Sequence, residues 1–226
     1  VNFLARFYGS SIGKKWIVAL TGLVLVGYVI GHLIGNLQIF AGPDKINAYA
    51  AFLHSIPGPL WVVRAFLILC FVLHIVTTIK LAVANRAARA QRYAYSASTE
   101  LKPAKKTMLL GGLVVLSFVI FHLAHFTARV TDERFHHLPK GEYDVHSMVI
   151  LGFQNPLVAG FYILAIFFLS MHLSHGFQSV LQTLGVQSEK VRRPVTIGGQ
   201  ALAWLIFVGY VAVPVAVLTR QLQVIP

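Results

Sequence analysis

WIVALTGLVLVGYVIGHLIGNLQIFAGP, residues 16–43, runs without a single Asp, Glu, Lys or Arg. A bilayer core of about 30 Å takes roughly 20 apolar residues as helix. In lipid, backbone N–H and C=O groups must be satisfied within their own segment, so the stretch reads as a membrane-spanning helix. Working outward, Thr107–Ala128 and Pro194–Thr219 are equally free of charge. Val145–Ser188 is also uncharged but too long for one span, and Asn155-Pro156 divides it, because proline suits a first helical turn and disfavours helix just before it. Gly185 supplies a C-terminal stop. Between Pro59 and Ala84 only Arg64 and Lys80 are charged, near the two ends, where each can snorkel to the headgroups. The expectation is an all-α integral membrane protein with five spans at about 15–40, 59–84, 107–128, 156–184 and 195–219.

Composition agrees and excludes much else. Apolar types make up 57% of the 226 residues and charged types 12%, where soluble proteins carry about 25% charged. Mean hydropathy is +0.72. The single cysteine, Cys70, excludes an internal disulfide framework, a multi-cysteine zinc site and an iron–sulfur cluster held by this chain alone. CxxCH is absent, so haem is not attached covalently. The first apolar run is too long for a cleavable signal peptide, and no small-residue cleavage site follows it.

The basic residues orient the spans. One side holds Arg6, Lys14 and Lys15, then Lys80, Arg86, Arg89, Arg92, Lys102, Lys105 and Lys106, then Lys190, Arg192 and Arg193, against only Glu100 and Glu189. The other holds Lys45, Arg64, Arg129, Arg134, Lys140 and Arg220, nearly balanced by Asp44, Asp132, Glu133, Glu142 and Asp144. The N-terminus is therefore expected in the cytoplasm and the C-terminus outside. Topology accounts for most of the +12 charge, so no nucleic-acid partner is read from it. Segment 86–106 reads as a helix extension and cytoplasmic loop, and 129–146 as an external loop turning at Pro139 and Gly141.

Each of the first four spans contains histidine and the fifth has none. An ionisable side chain inside a span is costly, and points to function. Spans one and three both start inside: His32 lies 17 residues past Lys15 and His122 lies 16 past Lys106. At 1.5 Å per residue both sit roughly 25 Å above the cytoplasmic lysines. Spans two and four run the other way, with His74 15 residues past Pro59 and His172 16 past Pro156, so these two share a level nearer the cytoplasm.

Two imidazoles at one level can occupy both axial positions of a haem iron, as bundle cores build cofactor sites from facing side chains. Bis-histidine ligation leaves no open position and suits electron transfer. Two such sites, offset by roughly 10–15 Å, would carry electrons between the membrane faces, with the first four spans as a haem-binding four-helix bundle. A metal transporter would be expected to add carboxylates or thiols at the same depth. His125 and His175 each lie three residues beyond a candidate ligand and share its face, and depth does not choose between them. Gly27, Gly31 and Gly35 surround His32 at four-residue spacing, leaving room for a flat macrocycle or for close helix packing. Tyr28 and Asn36 flank His32 on its own face and are candidates to line the same haem.

GKKWIVALTGL (13–23), GHLIGNLQIFAGPDKINAYAAFL (31–53), FHLAHFT (121–127) and MHLSHGFQSVLQTLG (171–185) together resemble the succinate dehydrogenase cytochrome b558 subunits. These are single-chain, five-span, di-haem anchors of succinate:quinone oxidoreductases and related quinol:fumarate reductases of bacterial cytoplasmic membranes. The resemblance covers essentially the whole chain. It implies two haem b groups, the outer one ligated by His32 and His122 and the inner one by His74 and His172, with His125 and His175 hydrogen-bonding a propionate, a ligand or a quinone.

The resemblance also implies an iron–sulfur subunit docked on the cytoplasmic face, a flavoprotein beyond it that oxidises succinate, and a quinone reduced near the outer haem, menaquinone rather than ubiquinone. On that reading the chain is the quinone-reactive subunit of an enzyme whose succinate chemistry lies elsewhere, with a higher oligomer of the whole complex open to it. Some fumarate-reducing relatives carry a glutamate two residues before the fourth-span ligand, where this chain has Ser170, which removes a proton route by that residue and favours succinate oxidation. Gln38, Asp44, His54 and Arg64, toward the outer end of spans one and two, are candidates to hydrogen-bond or protonate a quinone carbonyl, although the simpler reading of each is an interfacial polar residue. The competing expectations are a di-haem anchor of another quinone-linked dehydrogenase and a haem-free histidine-dependent ion or proton transporter.

Overall fold

The computed structural model describes residues 2–88, 102–186 and 188–224, and among these every regular element is helical. Much of the connector expected as a cytoplasmic loop, residues 89–101, lies outside the described residues. Helices α1 (Phe3–Gly9), α2 (Ser11–Leu37), α3 (Pro43–Ser55), α4 (Pro57–Ala87), α5 (Lys102–His122), α6 (Val145–Phe153), α7 (Pro156–Thr183) and α8 (Glu189–Leu218) follow in order. Among the described residues five segments are long and apolar enough to cross a membrane: Ser11–Ala41, Pro57–Ala87, Leu110–Thr127, Pro156–Thr183 and Glu189–Leu218.

Local chemistry sets most of the ends. Ser10 caps α2, its Oγ accepting from Gly13 N at 2.9 Å. α1 folds back on that first turn so closely that a Cβ at Gly13 would overlap the Phe7 carbonyl, and only glycine leaves room. After α2, one 3₁₀ turn (Gln38–Ala41) leads to Gly42 at φ +99°, and Pro43 opens α3. Asn155 caps α7 through Oδ1, accepting from Leu157 N at 3.0 Å, with Pro156 in the first turn. α7 ends in a Schellman turn, with Gly185 at φ +74°, Val186 N on Leu181 O (3.1 Å) and Gly185 N on Gln182 O (3.2 Å).

Three features depart from the apolar pattern. α8 starts at Glu189, before Pro194, which sits inside the helix. A proline near a helix end removes a single bond, so the helix passes through it. Two short helices, α3 and α6, occupy what reads in the sequence as connector. The third span finishes in a π turn, Leu123–Thr127, with Ala128 N bonded to Leu123 O at 2.7 Å.

α2 packs on α4, α5 on α7, and α7 most extensively on α8, which also touches α2. One apolar cluster joins Phe118, Phe153, Tyr162 and Val213 from α5, α6, α7 and α8 to Ile46 of α3, and a smaller one joins Leu33, Leu173, Ala203 and Ile206. Tyr210 Oη donates to Val29 O at 2.8 Å and ties α8 to α2. Of the four histidine-bearing helices, α2 packs on α4 and on α7, and α5 on α7, while among the described residues α4 and α5 have no more than grazing backbone contact; this leaves α2 and α5 across one diagonal and α4 and α7 across the other. Among the described residues neither diagonal pair has more than grazing backbone contact.

Candidate functional site

Across each diagonal the approach is made by imidazoles. The His32 and His122 ring centroids are 5.8 Å apart, and those of His74 and His172 are 6.4 Å apart. An imidazole nitrogen lies about 2 Å from a metal it ligates, so rings on opposite sides of one iron have centroids roughly 6 Å apart. The two observed separations bracket that value. The structure therefore brings together the two pairs expected from depth, and the donor set fits haem. Among the described residues no group of three or more His, Cys, Asp or Glu side chains converges, so the available donors are these two-imidazole pairs.

Partners at the other ring nitrogen orient the rings. His74 Nδ1 lies 3.1 Å from Val18 O and 3.1 Å from Thr21 Oγ1 on α2. Thr21 Oγ1 itself donates to Ile17 O at 2.6 Å, so its lone pair faces His74. Nδ1 then carries the proton and Nε2 is left with a free lone pair, the arrangement a metal-ligating histidine would need. Gly22 lies beneath the same ring, where a Cβ would come within 3.2 Å of His74 Cε1, and Gly112 of α5 stands in the same relation to His172 at 3.7 Å. Among the described residues His172 Nδ1 is buried without a hydrogen-bond partner.

On the other pair, Tyr28 stacks on His32, with centroids 5.4 Å apart and planes 12° apart. Asn36 Nδ2 is committed to His32 O at 2.7 Å, a bond within the helix. Of the three glycines, Gly35 faces the Tyr49 ring of α3, which a Cβ there would meet at 3.0 Å, so packing accounts for it. Gly27 and Gly31 have no atom within 4 Å of a Cβ position. His122 Nδ1 faces Tyr162 Oη at 3.5 Å, and the same hydroxyl lies 3.0 Å from His125 Nδ1. His125 is buried (3% exposed) among Phe121, Phe126 and Phe135. His175 shares a cavity of about 50 Å³ with His172, Met108, Gly111, Phe168 and Met171. Ser170 is fully buried, its hydroxyl without a partner among the described residues.

Among the described residues the four quinone candidates make separate local contacts. Gln38 lies in the 3₁₀ turn and Asp44 is exposed in the first turn of α3. His54 Nδ1 bonds Ala50 O at 2.8 Å, its ring 4.9 Å from Tyr143. Arg64 lies over Trp61, 5.1 Å from the ring centroid. No hydrogen bond joins any two of these four.

Beyond the expected residues, α3 and α6 are clamped together. Asp144, 1% exposed, accepts from Asn47 Nδ2 (3.0 Å), Ser147 N (3.1 Å) and Lys140 N (3.2 Å), while Asn47 Oδ1 accepts from His146 N (3.0 Å). Burial pushes the Asp144 carboxyl up, but these hydrogen bonds outweigh it and hold it below the usual range. Arg134 joins its own loop to the end of α6 through Asp132, Gln154 Oε1 and Leu151 O, and its hydrogen bonds hold Asp132 low. Asn47, Thr21, Gly22 and Tyr162 were not singled out by the sequence. Thr21 and Gly22 lay inside the quoted stretch 13–23 and Asn47 inside 31–53, whereas Tyr162 lay in none of the quoted stretches.

Compared with protein-family models, curated proteins and solved structures, the chain gives no match.

Proposed function

We propose that this chain is the di-haem cytochrome b membrane anchor of a succinate:quinone oxidoreductase, a multi-pass subunit of a bacterial cytoplasmic membrane. The observation that carries the reading is the meeting of two histidine pairs across the two diagonals of one bundle, 5.8 and 6.4 Å between ring centroids. The resemblance of residues 13–23, 31–53, 121–127 and 171–185 to that family adds the choice of enzyme.

His32 and His122 would hold one haem b and His74 and His172 the other. Haem, when bound, supplies one-electron transfer at an iron closed to other ligands. The chain's own work is to hold and orient. Val18 and Thr21 fix the His74 ring, Tyr28 stacks on His32, and Phe118 and Phe126 pack against His122, centroids 5.7 and 5.9 Å away, screening it from water. With the basic ends of the spans in the cytoplasm, the His74/His172 pair is the nearer to an iron–sulfur subunit docked there, and through it to a flavoprotein. The His32/His122 pair is the nearer to a quinone, menaquinone rather than ubiquinone, at the other face.

The test is haem content of the purified protein by pyridine haemochrome assay with a stepwise redox titration. Two b haems per chain titrating separately is the expected result. One haem would halve the site assignment. None, in protein made with ample haem, would return the histidines to proton or ion transport. Co-purification of a subunit carrying covalent flavin would separate succinate oxidation from another quinone-linked dehydrogenase.

A further inference from the structure

The two pairs differ in what stands behind their rings. His74 is backed by a main-chain carbonyl and a hydroxyl of α2. His122 is backed by one hydroxyl, Tyr162 Oη of α7, which also meets His125 Nδ1. A tyrosine hydroxyl has one proton to give and lone pairs to receive. With His122 presenting Nε2 to an iron, its Nδ1 carries hydrogen and donates to Tyr162 Oη, and the Tyr162 hydroxyl donates in turn to His125 Nδ1. The chain then has a single direction, from His122 through Tyr162 to His125 Nδ1.

Its parts are held by packing. Tyr162 is 5% exposed, with Phe153 and Phe118 edge-on at 4.9 and 5.2 Å between centroids. The Phe126 ring lies 4.1 Å from His125, and a Cβ on Gly152 of α6 would approach Phe126 at 2.8 Å and His125 at 3.0 Å. The π turn begins just after His122 and contains His125. Such turns recur at functional sites, where they re-aim a side chain that a regular α-helix would point elsewhere.

We infer that Tyr162 and His125 are positioning residues for the His32/His122 haem, fixing the tautomer of His122 and setting its strength as a ligand through the relay His122–Tyr162–His125. The inference rests on the haem reading above. A hydrogen bond from the non-ligating nitrogen raises the basicity of a ligating histidine, which favours the oxidised metal. Removing the acceptor therefore raises the midpoint potential of this haem and leaves the other in place.

The experiment is a redox titration of the purified wild type, Tyr162→Phe and His125→Leu, with haem quantified in each. His122→Ala identifies the component to follow, since it loses that haem. Tyr162→Phe keeps the ring and removes only the hydroxyl, so two haems should remain, with the His32/His122 component shifted upward and the His74/His172 component unmoved. His125→Leu should shift the same component in the same direction, but less, because the tyrosine oxygen still accepts from His122. His125→Gln, which restores an acceptor, should bring it back toward wild type. If Tyr162→Phe retains no haem, the two His125 variants carry the test on the same readout. Two haems with unchanged midpoints would overturn the relay and leave the haem reading intact, whereas a wild type without haem would overturn both.

Discussion

At the scale of single residues, the four paired histidines and the glycines beneath them are open to direct test. Replacing His32 or His122 with alanine should remove one haem and leave the other, and replacing His74 or His172 should remove the second, each read as haem per chain and as the missing component in a titration. Loss of both haems from every single variant would undermine the two-site arrangement. Gly22 makes a finer prediction. A Cβ there already crowds His74 Cε1 at 3.2 Å, so Gly22→Val should displace that ring from Val18 and Thr21 and lower occupancy of the His74/His172 haem alone. The histidines were legible because rise per residue is constant, so counting from the ends of spans predicts which imidazoles share a level. Tyr162 was not. It stands on a different helix from both rings it serves, and no spacing within α7 marks it.

At the scale of elements, the clamp between α3 and α6 is the part least visible in the sequence. Both helices are short and lie between the expected spans, and their helicity is supported by tertiary docking more than by length. Asp144 is the centre of it. Asp144→Ala removes the N-cap of α6 and strands Asn47 Nδ2, at a cost of about 1–2 kcal/mol, so amide hydrogens of α3 and α6 should exchange faster while those of the spans keep their protection. The pH dependence has a definite sign. A carboxyl held below its usual value in the folded protein contributes stability above that usual value, and loses it as pH falls through the lowered one. Protection of α3 and α6 should be flat through neutral pH and fall only below about pH 4, and in Asp144→Ala this acid step should shrink to what Asp132 contributes at the end of α6.

For the whole molecule, the prediction is topology. Cys70 is the only cysteine and is buried, so a Cys70→Ser background leaves introduced cysteines as the only reactive sites. A cysteine at Gly9 should react with a membrane-impermeant reagent only from the cytoplasmic side, and one at His137 only from outside. The reverse pattern would invert the assignment of each histidine pair to its membrane face.

The amino-acid sequence alone determined that the chain has five apolar helices and which histidines stand level, because absence of charge and helical rise are properties of a segment by itself. It placed the break at Asn155-Pro156 and the stop at Gly185 for the same reason: caps are local. Tertiary structure alone decided that α8 runs through Pro194, that the third span ends in a π turn, and that Gly35 serves Tyr49 while Gly22 serves His74. It alone set Tyr162 between two imidazoles. Each of these depends on which faces meet, and side-chain packing between helices distant in the chain leaves no periodic mark on any one of them.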